Sequence, residues 1–423
     1  MINVIGTDAA APESLPAAQQ ELIRQASLIA APSRLHGALR IWLDDADIEL
    51  IPSDRPRALC AVLAQDKLNR NTVVLASGDP LWFGIGRTLI ERLGKTNLRF
   101  HPAPTSLQLA FARLNRPWQD VSWVSLHGRD SAVLMGELQK RPVALAILTD
   151  PDRGGAETVR NILQSSGLAQ TYQLWVCENL GQREERINRF AIDAPLPDDI
   201  ARLHLAVLIA EEPAAKDPRH LPLFGLEDGH FLQHPDHPGL MTKREVRIQL
   251  LADLELPEQG VLWDLGAGTG SVGLEALRLR PGLQLLAVER RHAGAQLIQA
   301  NAERLGVQPA AVLETDALEL ETAVVPDHLR NPCRVLLGGG GQDRVRLLDF
   351  VLSRLQPGGV VVMPLATLEA VSELRRTLDL ARLSVGITQL QAWRGLPLGD
   401  GTRLAPMNPA FVLKGRQQPS NSN

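Results

Sequence analysis

The stretch VLWDLGAGTGSVGLEALRL, residues 261–279, changes its period twice within a few residues. Val261-Leu262-Trp263-Asp264 reads as a buried strand, and Gly266-Ala267-Gly268-Thr269-Gly270 as a turn. Val272, Leu274, Ala276 and Leu277 then return at helical spacing. In such a unit the backbone comes close to a ligand. Glycine takes positive φ without a Cβ penalty, and the first turn of the helix offers N–H groups that the helix itself leaves unpaired. A second apolar run, Leu285-Leu286-Ala287-Val288, ends in Glu289, 23 residues past Gly266. A carboxylate at that point can accept hydrogen bonds from both hydroxyls of a ribose. The dinucleotide fingerprint G-x-G-x-x-G is not met, because Ser271 stands where its third glycine would fall.

Outward from this unit, apolar runs alternate with helical periodicity along most of the 423 residues, the rhythm of an α/β protein with mostly parallel sheets. Strands are expected at 2–5, 73–76, 143–148, 173–177 and 205–210, and helices around 16–27, 84–93, 106–114 and 155–166. In the second half strands are expected at 261–264, 284–288, 311–314, 334–337, 359–363, 383–390 and 409–414, the last two able to pair antiparallel at an edge. Residues 213–238 hold five prolines and four histidines without periodicity and read as a linker between domains 1–212 and 239–415. His220, His230, His234 and His237 lack a carboxylate or cysteine at ligand-like spacing, so they read as solvated and no metal site is expected. The polar end, 416–423, reads as a disordered tail.

Composition narrows the function. One Tyr, eight Phe and seven Trp, with a net charge of −4, do not suit a base-stacking nucleic-acid surface. Three scattered cysteines give no disulfide framework and fit a reducing cytoplasm. The apolar runs are too short to span a bilayer.

The run D-x-G-x-G-x-G from Asp264 to Gly270 resembles the cofactor loop of class I S-adenosylmethionine (SAM) methyltransferases. That resemblance gives Gly266, Ala267, Gly268, Thr269 and Gly270 to the amino-acid end of SAM, Glu289 to its ribose, and Asp316 and Ala317 to its adenine. Upstream, GLMTKREVRIQLL carries Thr242 and Glu245 as T-x-x-E, a capping-box pattern. Thr242 is therefore expected to cap a helix and to close over the ligand. Lys243, Arg244 and Arg247 form a basic cluster, which is either a solvated face or a partner for a polyanion. Leu336-Leu337-Gly338-Gly339-Gly340-Gly341 ends a strand with four glycines, an open floor suited to a bulky, flat substrate.

Together GLMTKREVR, VLWDLGAGTGSVGLEA, LLGGGG and the closing MNPAFVL resemble the C-terminal domain of the decarboxylating precorrin-6Y C(5,15)-methyltransferase family of vitamin B12 biosynthesis. In the first half, VVLASGDPLWFGIGR (73–87) is similar to the Gly-Asp-Pro loop of the tetrapyrrole methylase fold. Pro104-Thr105-Ser106-Leu107 resembles that family's turn before a helix, and WVSLHGRD (123–130) its S-L-H-G-R signature. One departure concerns the first turn. Where the family has roughly G-x-G-P-G, this chain has Gly6-Thr7-Asp8-Ala9-Ala10-Ala11-Pro12, so that loop must take another path.

The resemblance implies a tetrapyrrole methylase fold of two α/β lobes over 1–212, methylating carbon 5. It implies a class I Rossmann-like fold over 239–415, methylating carbon 15 with loss of the ring-C acetate carboxyl. Each half would hold one SAM, the first through Gly78, Asp79, Pro80, Thr105 and Ser106. The partner would be a tetrapyrrole rich in carboxylates, met by Arg129, Lys243, Arg247, Gly338 and Gly339, and by Arg183, Arg186 and Arg189 unless these form a charged hairpin face. The family further implies a cytoplasmic homo-oligomer without nucleic-acid or membrane partners. No catalytic side chain is assigned, since alignment of nucleophilic carbon, methyl and sulfur and exclusion of water do most of the work. Two alternatives stay open: an RNA methyltransferase, and a C-terminal methyltransferase carrying a non-catalytic tetrapyrrole-holding N-terminal half.

Overall fold

A computed structural model describes the chain except for residues 9–10, 45–47, 66–69, 213, 322–324, 339–340, 399–400 and 419–423. The first lobe is a parallel sheet of β1 (Ile2–Thr7), β2 (Leu28–Ala31), β3 (Glu49–Pro52), β4 (Thr72–Ser77) and β5 (Leu98–His101), in the order β3-β2-β4-β1-β5. Separate apolar clusters cover its two faces, which is why the inner strands are continuously apolar rather than alternating. The second lobe contains β6 (Ser122–Ser125), β7 (Ala144–Leu148), β8 (Tyr172–Glu178), β9 (Arg186–Phe190) and β10 (His204–Ala210), in the order β6-β7-β10-β8-β9. Only the β6–β7 pair is parallel there. Arg186 and Arg189 stand on the β8–β9 hairpin and pair with Glu178, Asp199 and Glu211, so they form the charged hairpin face.

The second half is a seven-stranded sheet. Its strands are β11 (Gly260–Leu265), β12 (Leu283–Glu289), β13 (Ala311–Glu314), β14 (Arg334–Leu337), β15 (Val360–Leu365), β16 (Ser384–Leu390) and β19 (Ala410–Arg416). Their order is β13-β12-β11-β14-β15-β19-β16, with β19 antiparallel to both neighbours. The expected edge pair is present. The strand also continues through Arg416, and Gln417 N–H donates to the Gly359 carbonyl, so the expected tail is ordered at its start; residues 419–423 lie outside the described residues. The order reverses between β12 and β14, on either side of β11. A ligand crevice is expected outside the carboxyl ends of the strands at such a switch point.

Three expectations are corrected by packing. Residues 213–238 are not a loose linker, because Leu226 and Phe231 are buried in the same apolar cluster as Leu250, Leu262 and Leu274. His220 and His237 are exposed, but His230 is half-buried and His234 Nε2 lies 2.8 Å from the His292 carbonyl. The capping box does not form: the helix Arg244–Asp253 has Lys243 at its N-cap without a side-chain cap, and the Glu245 carboxylate is taken by Arg394. Between β16 and β19 the chain also makes a hairpin, β17 (Trp393–Leu398) with β18 (Gly401–Pro406), that leaves its own sheet. Its Leu396 and Ala405 are buried in the core of the second lobe, beside Leu163 and Ile162.

Arg247 joins these pieces. It is fully buried, with Nε 2.7 Å from Glu275 and Nη1 3.1 Å from Asp228. Nη1 and Nη2 also donate to the Thr242 and Leu226 carbonyls. Glu275 also accepts from the Gly225 and Leu226 N–H groups, and Asp228 from the Arg244 N–H. A buried charge stripped of its partner costs about 3–5 kcal/mol. Arg247→Met strips buried Glu275 of its cationic partner and leaves Asp228 only the more distant Arg394, at 3.9 Å. It is expected to destabilise the second half by about that amount, read as a lowered urea midpoint, whereas Arg247→Lys recovers only part because it lacks the fork.

Candidate active site

At the switch point the glycine loop is held by its own bonds. Gly266, Gly268 and Gly270 have φ of 76°, 58° and 75°. The N–H groups of Gly266 and Ala267 both donate to the Val288 carbonyl, at 2.9 and 3.0 Å, and Gly268 N–H donates to Glu289 Oε2 at 2.8 Å. The loop's N–H groups are thus largely used internally, and what it offers a ligand is a close, fixed backbone. Gly266 is required by contact as well as by φ, since a Cβ there would lie 1.7 Å from the Gly338 carbonyl oxygen. The strand-end glycine predicted as floor is therefore the neighbour of the loop glycine.

Glu289 is buried at 2% exposure and accepts from Arg291 N–H at 3.0 Å through its other oxygen. Oε1 also accepts from Arg291 Nη1 at 3.1 Å. Two carboxylate oxygens carry about four acceptor sites, so about one remains for a ribose hydroxyl after these bonds. A crevice beside it is lined by Gly266, Glu289, Asp316, Ala317 and Gly338, all expected from the sequence. Arg290, Thr315, Leu318, Asp343 and Leu347 also line it and were not expected. They follow the ends of β12, β13 and β14, the position along the strand being the signal that could have found them. Ala267, Gly268, Thr269 and Gly270 belong to the loop but do not line this crevice. Leu240's carbonyl faces Gly268, and Thr269 Oγ1 is buried without a hydrogen-bond partner. Gly339 lies outside the described residues.

Asp264, near the end of β11, opens the D-x-G-x-G-x-G run. It is 1% exposed, and Oδ2 accepts from Gly273 N–H at 3.1 Å, tying strand to helix across the loop. Burial pushes its carboxyl up to about 7, aided by the charge of Glu289 and opposed by the Gly273 bond.

Two expected substrate contacts are displaced. Arg247 is sealed in the interior as described, so no substrate reaches it. Lys243 is half-buried and donates to the Gly239 carbonyl; burial pushes its ammonium below the usual range. It lines a small crevice with Gln139, Glu245 and Met407 between the halves, away from the Glu289 crevice. Thr242 contributes its carbonyl to Arg247 rather than a cap.

The first half has a second built loop. Gly78 has φ 65°, and its N–H donates to the Thr7 carbonyl at 2.8 Å. Asp79 turns back to accept from Leu81 N–H at 2.8 Å. A Cβ on Gly84 or Gly86 would lie 2.6 or 2.5 Å from the Pro80 carbonyl oxygen, and Gly86 N–H donates to that oxygen. Thr105 caps the helix Ser106–Arg113 in a full capping box with Gln108. Gly6 packs against this loop, where a Cβ would lie 2.6 Å from the Gly78 carbonyl oxygen. The altered first turn keeps that one glycine, which the contact demands; Ala9 and Ala10 lie outside the described residues.

Residues 1–194 match the tetrapyrrole (corrin/porphyrin) methylases and residues 234–415 the precorrin methyltransferase domain. A precorrin-6Y C(5,15)-methyltransferase [decarboxylating] of Sinorhizobium sp is 33% identical over 344 residues, 80% of this chain and 78% of that one. The chain belongs to the decarboxylating precorrin-6Y C(5,15)-methyltransferase family. A protein of the same name from Mycobacterium tuberculosis (strain CDC 1551 / Oshkosh) is 30% identical over 79% of this chain and 80% of that one. A cobalt-precorrin-6B C(15)-methyltransferase (decarboxylating) of Salmonella typhi is 34% identical over 44% of this chain and 94% of its own. Membership of this family makes the chain a SAM-dependent methyltransferase of α/β fold. Among the described residues no helix is long and apolar enough to cross a membrane.

Gly266→Ala is expected to abolish SAM binding in the second half, measured by calorimetry, while the rest of the chain stays folded by circular dichroism. Asp264 gives a pH signature. A carboxyl whose folded value is raised stabilises the fold fully below its unfolded value, about 4. That contribution is lost as pH rises through about 7. Asp264→Asn keeps an acceptor for Gly273, so the difference in unfolding free energy between wild type and variant is expected to shift toward the variant across this window. A flat difference would contradict it.

Proposed function

We propose that the first half methylates carbon 5 of a precorrin-6Y-type tetrapyrrole, and that the second half methylates carbon 15 and removes the ring-C acetate carboxyl as carbon dioxide. Each half uses its own SAM. The observation that carries this reading is the pair of independently built glycine loops, at Gly78 and Gly266, on two different folds in one chain.

SAM fits the residues of the second half. Glu289 keeps about one acceptor site for a ribose hydroxyl beside its bonds to Gly268 and Arg291, Ala317 and Leu318 offer an apolar wall, and the Gly266–Gly338 contact leaves no room for a side chain at the floor. When bound, SAM supplies an electrophilic methyl group on a sulfonium. The chain's part is positional. Asp264 locks the start of the helix Ser271–Leu279 to β11, and Glu289 holds both the Gly268 N–H and the next strand's turn. A crevice so fixed presents its contents without reorganisation, and most of the rate of a two-body displacement comes from such alignment. The meso carbons of a reduced tetrapyrrole are enamine-like, so no strong base is required. The conjugated ring itself takes up the electron pair left by decarboxylation. In the first half, Asp79 and Thr105 hold their loop and helix in the same positional role.

Titration with SAM is expected to give two sites per chain. Incubation with precorrin-6Y and SAM is expected to give two methyl gains and one carbon dioxide loss by mass spectrometry. Glu289→Ala is expected to leave one site, one methyl gain and the carboxyl in place. A single site in wild type would leave the first half as a holder of the tetrapyrrole. Unchanged substrate, under conditions where a relative turns it over, would refute the assignment.

A further inference from the structure

The loop after Pro80 turns large apolar side chains outward. Phe83 has φ 53°, a left-handed backbone that a bulky residue adopts at a cost. It is held there by the Gly84 and Gly86 contacts with Pro80. Phe83 and Trp123 are each about half exposed, at 47% and 49%, with ring centroids 5.1 Å apart. Trp82 adds a third ring 5.2 Å from Phe83. Strain spent on presenting an aromatic ring to solvent points to a contact made there.

Beside this patch lies a basic cavity. The Arg129 guanidinium sits 5.8 Å from the Phe83 ring centroid, and Arg129 makes no ion pair among the described residues. Arg129 lines a cavity with Gly128, Asp130, Asp150, Arg153 and Arg403. Three guanidinium groups face two carboxylates there, and Asp150 already accepts from the Gly128 and Asp152 N–H groups. Arg403 comes from β18, on the hairpin that the second half sends across. It pairs with Asp130, and its Nε is buried without a partner. The lining of this first-half cavity is thus incomplete without the second half.

We infer that the cavity is a carboxylate-binding site for the tetrapyrrole in the first methylation, with the macrocycle lying against Phe83 and Trp123 and Arg403 supplied by the other half. This rests on the function proposed above and adds where the substrate sits. A flat ring with peripheral acids matches an aromatic face bordered by guanidinium groups in both shape and charge. Asp130 occupies Arg403 until a substrate carboxylate competes for it.

The test is the Michaelis constant for the tetrapyrrole, read from the rate of the first methyl gain, beside the SAM dissociation constant. Arg129→Gln and Arg403→Gln are each expected to raise the Michaelis constant about tenfold, the worth of one charged hydrogen bond, with SAM affinity unchanged. Asp130→Asn, which frees Arg403, is expected to lower it. If Arg403 is only a strut between the halves, Asp130→Asn raises the Michaelis constant as Arg403→Gln does, and the inference falls. It falls also if Arg129→Gln stays within about twofold of wild type; that variant breaks no ion pair, so it decides the matter even where Arg403→Gln fails to fold. Failure of wild type to methylate the tetrapyrrole at all would instead refute the proposed function, before any variant is compared.

Discussion

The Asp228–Arg247–Glu275 cluster is the constraint on which the second half depends. A fully buried guanidinium is tolerable only if its donors are placed and its charge is matched. Here two carboxylates and two carbonyls take four of its five N–H groups, and the carboxylates in turn take backbone N–H groups at Gly225, Leu226 and Arg244. Glu275 lies on the helix that begins directly after the glycine loop. The cluster therefore fixes the helix behind the loop, the helix Arg244–Asp253, and the proline-rich segment between the halves as one unit. The Asp228 carbonyl also accepts from Arg141 in the first half, so the same residue reaches both domains.

At each glycine loop the backbone is set by two glycines meeting. Gly266 against Gly338 joins the ends of two adjacent parallel strands, and Gly6 against Gly78 does the same for β1 and β4. Adjacent parallel strands ending level bring their loops within van der Waals contact. One Cβ at that level would push the loops apart and tilt the crevice they floor. The same geometry thus appears on two sheets of different strand order, because it follows from parallel pairing rather than from either fold.

The hairpin Trp393–Pro406 links the two cores. Leu396 and Ala405 fill the second lobe's interior, while Arg394 bonds Glu245 at 3.0 Å and the Ser166 carbonyl at 2.6 Å. A contact that is apolar at its centre and ionic at its edge resists sliding, unlike the small polar contacts that let domains move.

What was legible in the sequence follows from range. The glycine loop and Glu289 lie within one continuous stretch of strands and helices and stand out by pattern and spacing, whereas Asp316 and Ala317 came from the family resemblance. Long inner strands such as β10 and β12 were legible by pattern too. Of the four-residue strands, Ala311–Glu314 and Arg334–Leu337 were legible from the strand–helix rhythm around them, whereas Leu28–Ala31 and Ser122–Ser125 were not, because a run that short carries no period of its own. Thr242-x-x-Glu245 was misread because a capping pattern is local, and an arginine 149 residues away claimed the glutamate. Arg247 looked like surface charge for a similar reason. Its two carboxylates come from residues 228 and 275, on either side of the helix that carries it, and nothing in KREVR tells an arginine facing water from one facing them. The same holds at Asp130 and Arg403, 273 residues apart. Local pattern marks out the glycine loop of each half, whereas the ion pairs that tie distant segments together have partners only the fold reveals.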